Sequence, residues 1–171
     1  NPANFLLTCS INSSSIGIEL ENPGHDFGYK PFTNPQMVSL ESLIRYLISK
    51  YNIPLHNIVG HSDIAPLRKK DPGELFDWKR LAKKNLSIWP KKSSVNPFNN
   101  ICIGEKSKSV LEVQEALSDI GYKINKDGYF GNETQLVLKA FQRRFGSGKF
   151  DGYFDNITGM LIHSIKSLTK I

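Results

Sequence analysis

The stretch from Gly60 to Gly73, GHSDIAPLRKKDPG, holds a histidine and an aspartate ten positions apart. His61 and Asp71 are of the right types to be two ligands of a divalent metal. An imidazole nitrogen and a carboxylate oxygen are ordinary donors to catalytic zinc, which takes three protein ligands and leaves a fourth position for water. That chemistry requires a third donor. A competing reading makes His61 a core histidine and Asp71 a helix N-cap ahead of Pro72. Two prolines and a glycine around the pair argue for a shaped loop.

The elements around that loop decide whether it can work. Residues Ile16 to Leu20 (IGIEL) read as a strand, with Ile16, Ile18 and Leu20 on one face. Gly17, Glu19 and Glu21 then share the other, which leaves room for a ligand beside a carboxylate. Asn22 to Pro35, rich in turn formers and aromatics, reads as a loop. Asn34 can cap a helix with Pro35 at its first position. Met37, Leu40, Leu43, Ile44, Leu47, Ile48 and Tyr51 recur along it at helical spacing. The Asn52-Ile53-Pro54 break ends that helix. Asn57 to Gly60 reads as a short buried strand, with His61 at its end, where ligands bind in α/β sheets. Asp71 to Gly73 is a turn, Phe76 to Ala82 a short helix, and Trp89-Pro90 closes the unit.

Lys91 to Asn100 is polar, contains a proline and reads as part of a linker. Beyond it the chain repeats itself. DGYFGNET (Asp127 to Thr134) returns 24 residues later as DGYFDNIT (Asp151 to Thr158). Each copy sets an Asp-Gly turn and two aromatics before a helix, and Asn132 with Gln135 resembles a capping box. Helices are expected near Ser107–Ile120, Glu133–Phe145 and Thr158–Leu168. Tyr129, Phe130, Tyr153 and Phe154 are expected to join the repeats in a common core, with stacking on sugar or peptide as the competing role. The expected division is residues 1–90, a linker at 91–103, and a three-helix domain at 104–171.

Composition bounds the function classes. The chain has 171 residues, of which 39% are hydrophobic and 22% charged, an ordinary globular balance. No apolar run approaches the ~20 residues of a membrane span. Any targeting segment is expected to be absent or already removed. The net charge of +6 is mild and spread over both halves, unlike the clustered patch of a nucleic-acid protein. Cys9 and Cys102 are too few and too far apart for a disulfide framework or a CxxC site.

SIGIELEN, GHSDIAPLRKKDPG and FDWKRL, in that order, resemble the zinc-dependent N-acetylmuramoyl-L-alanine amidases of the AmpD and AmiD type, related to peptidoglycan recognition proteins. The resemblance runs from about Ser15 to Pro90. The repeat-bearing unit resembles a type 1 peptidoglycan-binding domain. The resemblance implies an α/β amidase domain, a mixed sheet flanked by helices, followed by a small all-α domain. It implies hydrolysis of the amide between N-acetylmuramic or anhydro-muramic acid and L-alanine of the stem peptide. Zn2+ is the implied cofactor, peptidoglycan or a muropeptide the implied substrate, and the bacterial periplasm or envelope the implied compartment. His61 matches the second zinc histidine, Asp71 the carboxylate ligand, Glu19 the general base, and Lys69 the cation facing the developing oxyanion. Each has a plainer competitor. Glu19 reads also as a solvent-facing strand residue with Glu21 as its rival, and Lys69 as one of a solvated trio with Arg68 and Lys70. Asp63 is expected to support the loop, and Trp78 to lie in the core.

In that family the first zinc histidine lies on a strand well upstream of the IGIEL segment. No histidine precedes Ser15 here. The third ligand, with the N-terminal part of the sheet, is therefore expected outside this chain, on a companion fragment of the same domain. Two alternatives stand beside this. The protein could bind wall without cleaving it, or His25 or Cys9 could substitute. His56 lies on the wrong side of its strand and His163 in the other unit. A third function class, a basic nucleic-acid binder, has no motif behind it.

Overall fold

The computed structural model describes residues 13–91, 94–146 and 148–169. Helix α1 spans Asn34–Tyr51 and a 3-10 turn spans Leu55–Asn57. Short helices α2 (His61–Ile64) and α3 (Trp78–Lys83) follow, then α4 (Lys108–Ile120), α5 (Asn132–Phe145) and α6 (Asn156–Thr169). None of these exceeds the length and apolarity limits of a membrane-crossing helix among the described residues.

The expected mixed sheet is absent from the described residues, and both expected strands are corrected. Ile16–Leu20 forms no strand, and Ile16 is 52% and Ile18 37% exposed. Alternating side chains create a face to bury, but a strand exists only where a neighbour completes its ladder. Asn57–Gly60 fails for a different reason. Its Asn57 and Ile58 N–H groups close the preceding turn on the Pro54 and Leu55 carbonyls, and the Ile58 carbonyl accepts from Arg144 Nη2 at 2.7 Å. The Gly60 N–H donates to Asp63 Oδ2 at 2.7 Å.

The periodic segments fold as helices with adjusted ends. Thr33 caps α1, one residue ahead of the expected Asn34, because Thr33 and Gln36 form a reciprocal capping box. Asn52 closes α1 in the left-handed conformation. Of the expected apolar face, Met37, Leu40 and Ile44 are buried, whereas Leu43 and Tyr51 are exposed. Glu41 lies buried on the same face, where Arg80 Nε and Lys84 Nζ donate to its two oxygens. Those hydrogen bonds, Arg80's first, hold its carboxyl below the usual range. The α1 face packs with Phe76, Trp78, Leu81 and Leu86 to form the first core.

The second core lies among α4, α5 and α6. It includes Val110, Val113, Leu117, Phe130, Leu138, Phe141, Ile162 and Ile165. The two copies of the repeat are buttressed alike. Gln114 Oε1 accepts from the Gly128 N–H at 2.9 Å, and Gln142 Oε1 from the Gly152 N–H at 2.8 Å. The amide nitrogen of Gln114 donates to the Tyr129 carbonyl and Thr134 Oγ1; that of Gln142 donates to the Tyr153 carbonyl and Thr158 Oγ1. Both turn glycines have positive φ, 71° and 78°, where other residues are strained. Phe130 and Phe154 enter the core as expected, but Tyr129 and Tyr153 are about half exposed. Gly131, without a side-chain bond, is the N-cap of α5, so the expected Asn132–Gln135 capping box does not form.

The segment read as a linker lies packed along α6. Ser164 Oγ exchanges hydrogen bonds with the backbone N–H and carbonyl of Lys91, and Asn96 bonds to Asn156. Ile101 is buried in the second core, and Trp89 packs against both cores.

Candidate functional site

His61 is the first residue of α2 and Asp71 belongs to the turn that follows the Ala65–Lys70 loop. Their side chains meet, with His61 Nδ1 2.8 Å from Asp71 Oδ2. The His61 side chain is 39% exposed and that of Asp71 59%, so the pair is open to solvent. The backbone holds the two segments side by side through the Ser62 N–H, which donates to the Asp71 carbonyl at 2.8 Å. Gly60 permits that approach, because a Cβ there would lie 2.8 Å from Pro72 Cδ. On the far side, Tyr29 Oη donates to the Pro72 carbonyl at 2.7 Å and accepts from the Leu75 N–H at 3.0 Å. Gly73, at φ 86° and against the Tyr29 ring, has no room for a side chain. No helix starts at Pro72, which removes the N-cap reading of Asp71.

The other expected site residues are placed as follows. Lys69 is partly buried, while Arg68 and Lys70 are exposed. The Lys69 N–H bonds to the Ala65 carbonyl at 3.0 Å and fixes its backbone on the loop. Glu19 and Glu21 are exposed. No group of three His, Cys, Asp or Glu side chains among the described residues could hold a metal ion. Glu19 therefore does not join His61 and Asp71 in a metal-sized cluster. His25 is engaged elsewhere, with Nε2 3.0 Å from Glu74 Oε2 and its ring stacked on Tyr29 at 4.3 Å. Burial works to raise the Glu74 pKa, but the His25 hydrogen bond, a backbone hydrogen bond and the nearby charges of His25 and Arg143 together leave it lowered. Cys9, the other local candidate, lies outside the described residues. His56 lines a small cavity at the junction of the two cores, where burial lowers its pKa. His163 is exposed on α6.

Behind the loop is a buried polar network that the sequence reading missed in part. Asp63 and Arg144 are 2% and 5% exposed. Asp63 accepts from the Gly60 N–H, from Arg144 Nη1 at 2.7 Å and from Tyr122 Oη at 2.7 Å. Burial, and then the Asp63 charge, push the Tyr122 hydroxyl pKa well up, so it stays a donor. The Arg144 guanidinium also lies 4.4 Å from the Trp78 ring, a cation–π arrangement. Trp78 is buried in the first core, as expected. Arg144 carried a sequence signal. It sits on the apolar stripe of α5 with Val137 and Phe141 and beside Phe145, where a charge requires a buried partner.

Residues 7–74 match the family described as N-acetylmuramoyl-L-alanine amidase, and residues 106–160 match the putative peptidoglycan binding domain. N-acetylmuramoyl-L-alanine amidase AmiD of Escherichia coli is 33% identical over 160 residues, which is 91% of this chain and 58% of that protein. The chain is homologous to the N-acetylmuramoyl-L-alanine amidases. A second relative, the 1,6-anhydro-N-acetylmuramyl-L-alanine amidase AmpD of Enterobacter cloacae, is 51% identical over 70 residues, 41% of this chain and 35% of its own length. The amidase-like chain thus spans little more than half of AmiD and about a third of AmpD. Among solved structures, the E. coli AmiD complex with anhydro-N-acetylmuramic acid-L-Ala-D-gamma-Glu-L-Lys matches with TM-score 0.67 and 28% identity, over 81% of this chain and 53% of that one. AmpDH3 of Pseudomonas aeruginosa matches with TM-score 0.69 and 24% identity, over 82% and 56%, and supports the fold alone.

Proposed function

We propose that the chain acts in a peptidoglycan amidase that hydrolyses the amide between N-acetylmuramic or anhydro-muramic acid and L-alanine of the stem peptide. The observation that carries this reading is the 2.8 Å approach of His61 Nδ1 to Asp71 Oδ2 on a solvent-open loop. The donor set suits zinc, being one imidazole nitrogen and one carboxylate oxygen already converged, and supplies two of the three ligands that a catalytic ion takes. The third donor comes from outside the described residues, on a companion segment of the same domain. The uncovered Ile16 and Ile18 support such a segment, since they offer it an apolar face.

Zinc, when bound, lowers the pKa of a water toward neutrality and makes it a nucleophile. Asp71 and His61 would hold the ion and set its place on the loop. The role given to Glu19 is to accept a proton from the attacking water and pass it to the departing alanine nitrogen. The role given to Lys69 is to place positive charge against the carbonyl oxygen as it becomes an oxyanion. The helical repeat unit holds the wall polymer, which puts the site of action in the bacterial envelope.

A second reading, wall binding without cleavage, is favoured by one observation, the lack of a third donor beside His61 and Asp71 among the described residues. The two readings separate on one preparation, with bound zinc and release of peptide from a muropeptide as readouts. Under the amidase reading, Asp71→Ala lowers zinc occupancy. Glu19→Ala keeps zinc and loses turnover by about 100-fold or more. Wall binding with neither zinc nor hydrolysis, in a preparation that includes the companion segment, would establish the second reading.

A further inference from the structure

We infer that the helical repeat unit is a working part of the His61–Asp71 site, with Arg144 and Tyr122 as positioning residues that hold Asp63 and through it the turn presenting His61. The inference rests on the reading of His61 and Asp71 as a metal-binding pair.

Asp63 is two residues from His61 and points away from it, into the junction. Its carboxylate closes the α2 turn by accepting the Gly60 N–H, the backbone group immediately before His61. The other two partners of that carboxylate, Arg144 and Tyr122, both come from the repeat unit. Arg144 reaches across with two prongs, one to Asp63 and one to the Ile58 carbonyl. It therefore fixes the backbone on both sides of Val59 and Gly60. A module that served only as a tether would need no such contact. A buried carboxylate without its cation would leave a charge in a medium that cannot solvate it. Asp63 would then turn toward water and release the Gly60 N–H. The start of α2, and with it the His61 imidazole, would lose its fixed relation to Asp71. Arg144 and Tyr122 make no hydrogen bond or ion pair with His61 or Asp71, so their action is indirect, like that of the outer-shell groups that orient metal ligands.

The test uses the full chain with Arg144→Met, Arg144→Lys and Tyr122→Phe. Two quantities are read on each, backbone amide exchange by NMR and Zn2+ affinity by competition with a chelating indicator. Exchange at Gly60 and Ser62 is expected to quicken by about tenfold or more in Arg144→Met, which removes both charge-assisted hydrogen bonds of the guanidinium. It should quicken less in Tyr122→Phe, which removes only a hydroxyl and keeps the fold even if the arginine variants do not. Amides of Val113 and Leu138 in the helical core should keep their protection. Zn2+ affinity is expected to fall by about 10–100-fold in Arg144→Met. Arg144→Lys keeps the charge but not the two prongs, and should recover part of both losses. Unchanged exchange at Gly60 and Ser62 in all three variants overturns the inference, as does equal loss of protection in the helical core. If the unmodified chain binds no zinc even with the companion segment supplied, the metal reading fails on that result, while the exchange arm still decides whether Asp63 is held from the repeat unit.

Discussion

The repeat turns of the α4–α6 unit are satisfied by glutamines of the same unit, whereas the buried carboxylate beside His61 takes two of its partners from the other unit. In the helical unit Gln114 and Gln142 each bind an Asp-Gly turn of the same repeat. Around His61, the buried Asp63 is paired by Arg144 and Tyr122 from α5 and the turn after α4. The cores differ in the same sense. Phe130, Phe141, Leu138 and Ile162 are fully enclosed, while Met37, Leu40 and Ile44 cover one side of a helix whose Val38, Leu43 and Tyr46 face solvent. A unit that closes its own core can carry its stability as an independent quantity. A loop whose buried charge is paired from elsewhere is stable only as part of a larger assembly.

The comparison breaks first on core truncation. Phe141→Ala should cost about 3–5 kcal/mol, because a fully enclosed aromatic leaves a cavity its neighbours cannot fill. Denaturant unfolding followed by far-ultraviolet circular dichroism measures it. Met37→Ala, on the half-covered α1, should fall at the low end of the ~2–5 kcal/mol range for such truncations. Equal losses for the two would erase the distinction between the cores.

Acid sharpens it next. Glu41 has a folded pKa held below its unfolded value by Arg80 and Lys84. Its contribution to stability is therefore complete above the unfolded carboxylate pKa and is lost as pH falls through the folded one. Glu41→Gln should lower stability at neutral pH and flatten its decline on acidification, as urea midpoints between pH 7 and pH 3 would register. A pH profile parallel to that of the unmodified chain would remove Glu41 from the account.

The smallest effect belongs to the exposed members of the repeats. Tyr153→Ser should change stability by no more than about 0.5 kcal/mol, since an exposed ring makes few packing contacts. Thermal unfolding checks this, and a loss approaching that of Phe141→Ala would place the tyrosine in the core after all.

Much of this arrangement was legible in the residues. The helical periodicities of α1, α4, α5 and α6 announced themselves because a helix makes its hydrogen bonds internally, so that local pattern suffices. The duplicated Asp-Gly turns could be read for the same reason, although the Gln114 and Gln142 buttresses could not. The two expected strands were misread because pattern cannot supply a neighbour. Ile16–Leu20 has the alternation of a strand and no ladder among the described residues. Asn57–Gly60 has the apolar run, but Arg144 and Asp63 occupy its backbone groups. Type and spacing made His61 and Asp71 candidate donors and only the family resemblance gave them a shared role, while the partners of Asp63 lie 59 and 81 positions away, beyond any local pattern.

The sequence by itself determined where helices form, where the chain turns on glycine, and which side chains carry donors suited to a metal. Those are local properties, set by steric freedom and periodic burial. The tertiary structure alone decided that His61 meets Asp71, that His25 turns instead to Glu74, and that an arginine of the repeat unit closes the loop from behind. Each of those depends on which distant groups share a low-dielectric space, where an unpaired charge is too costly to keep.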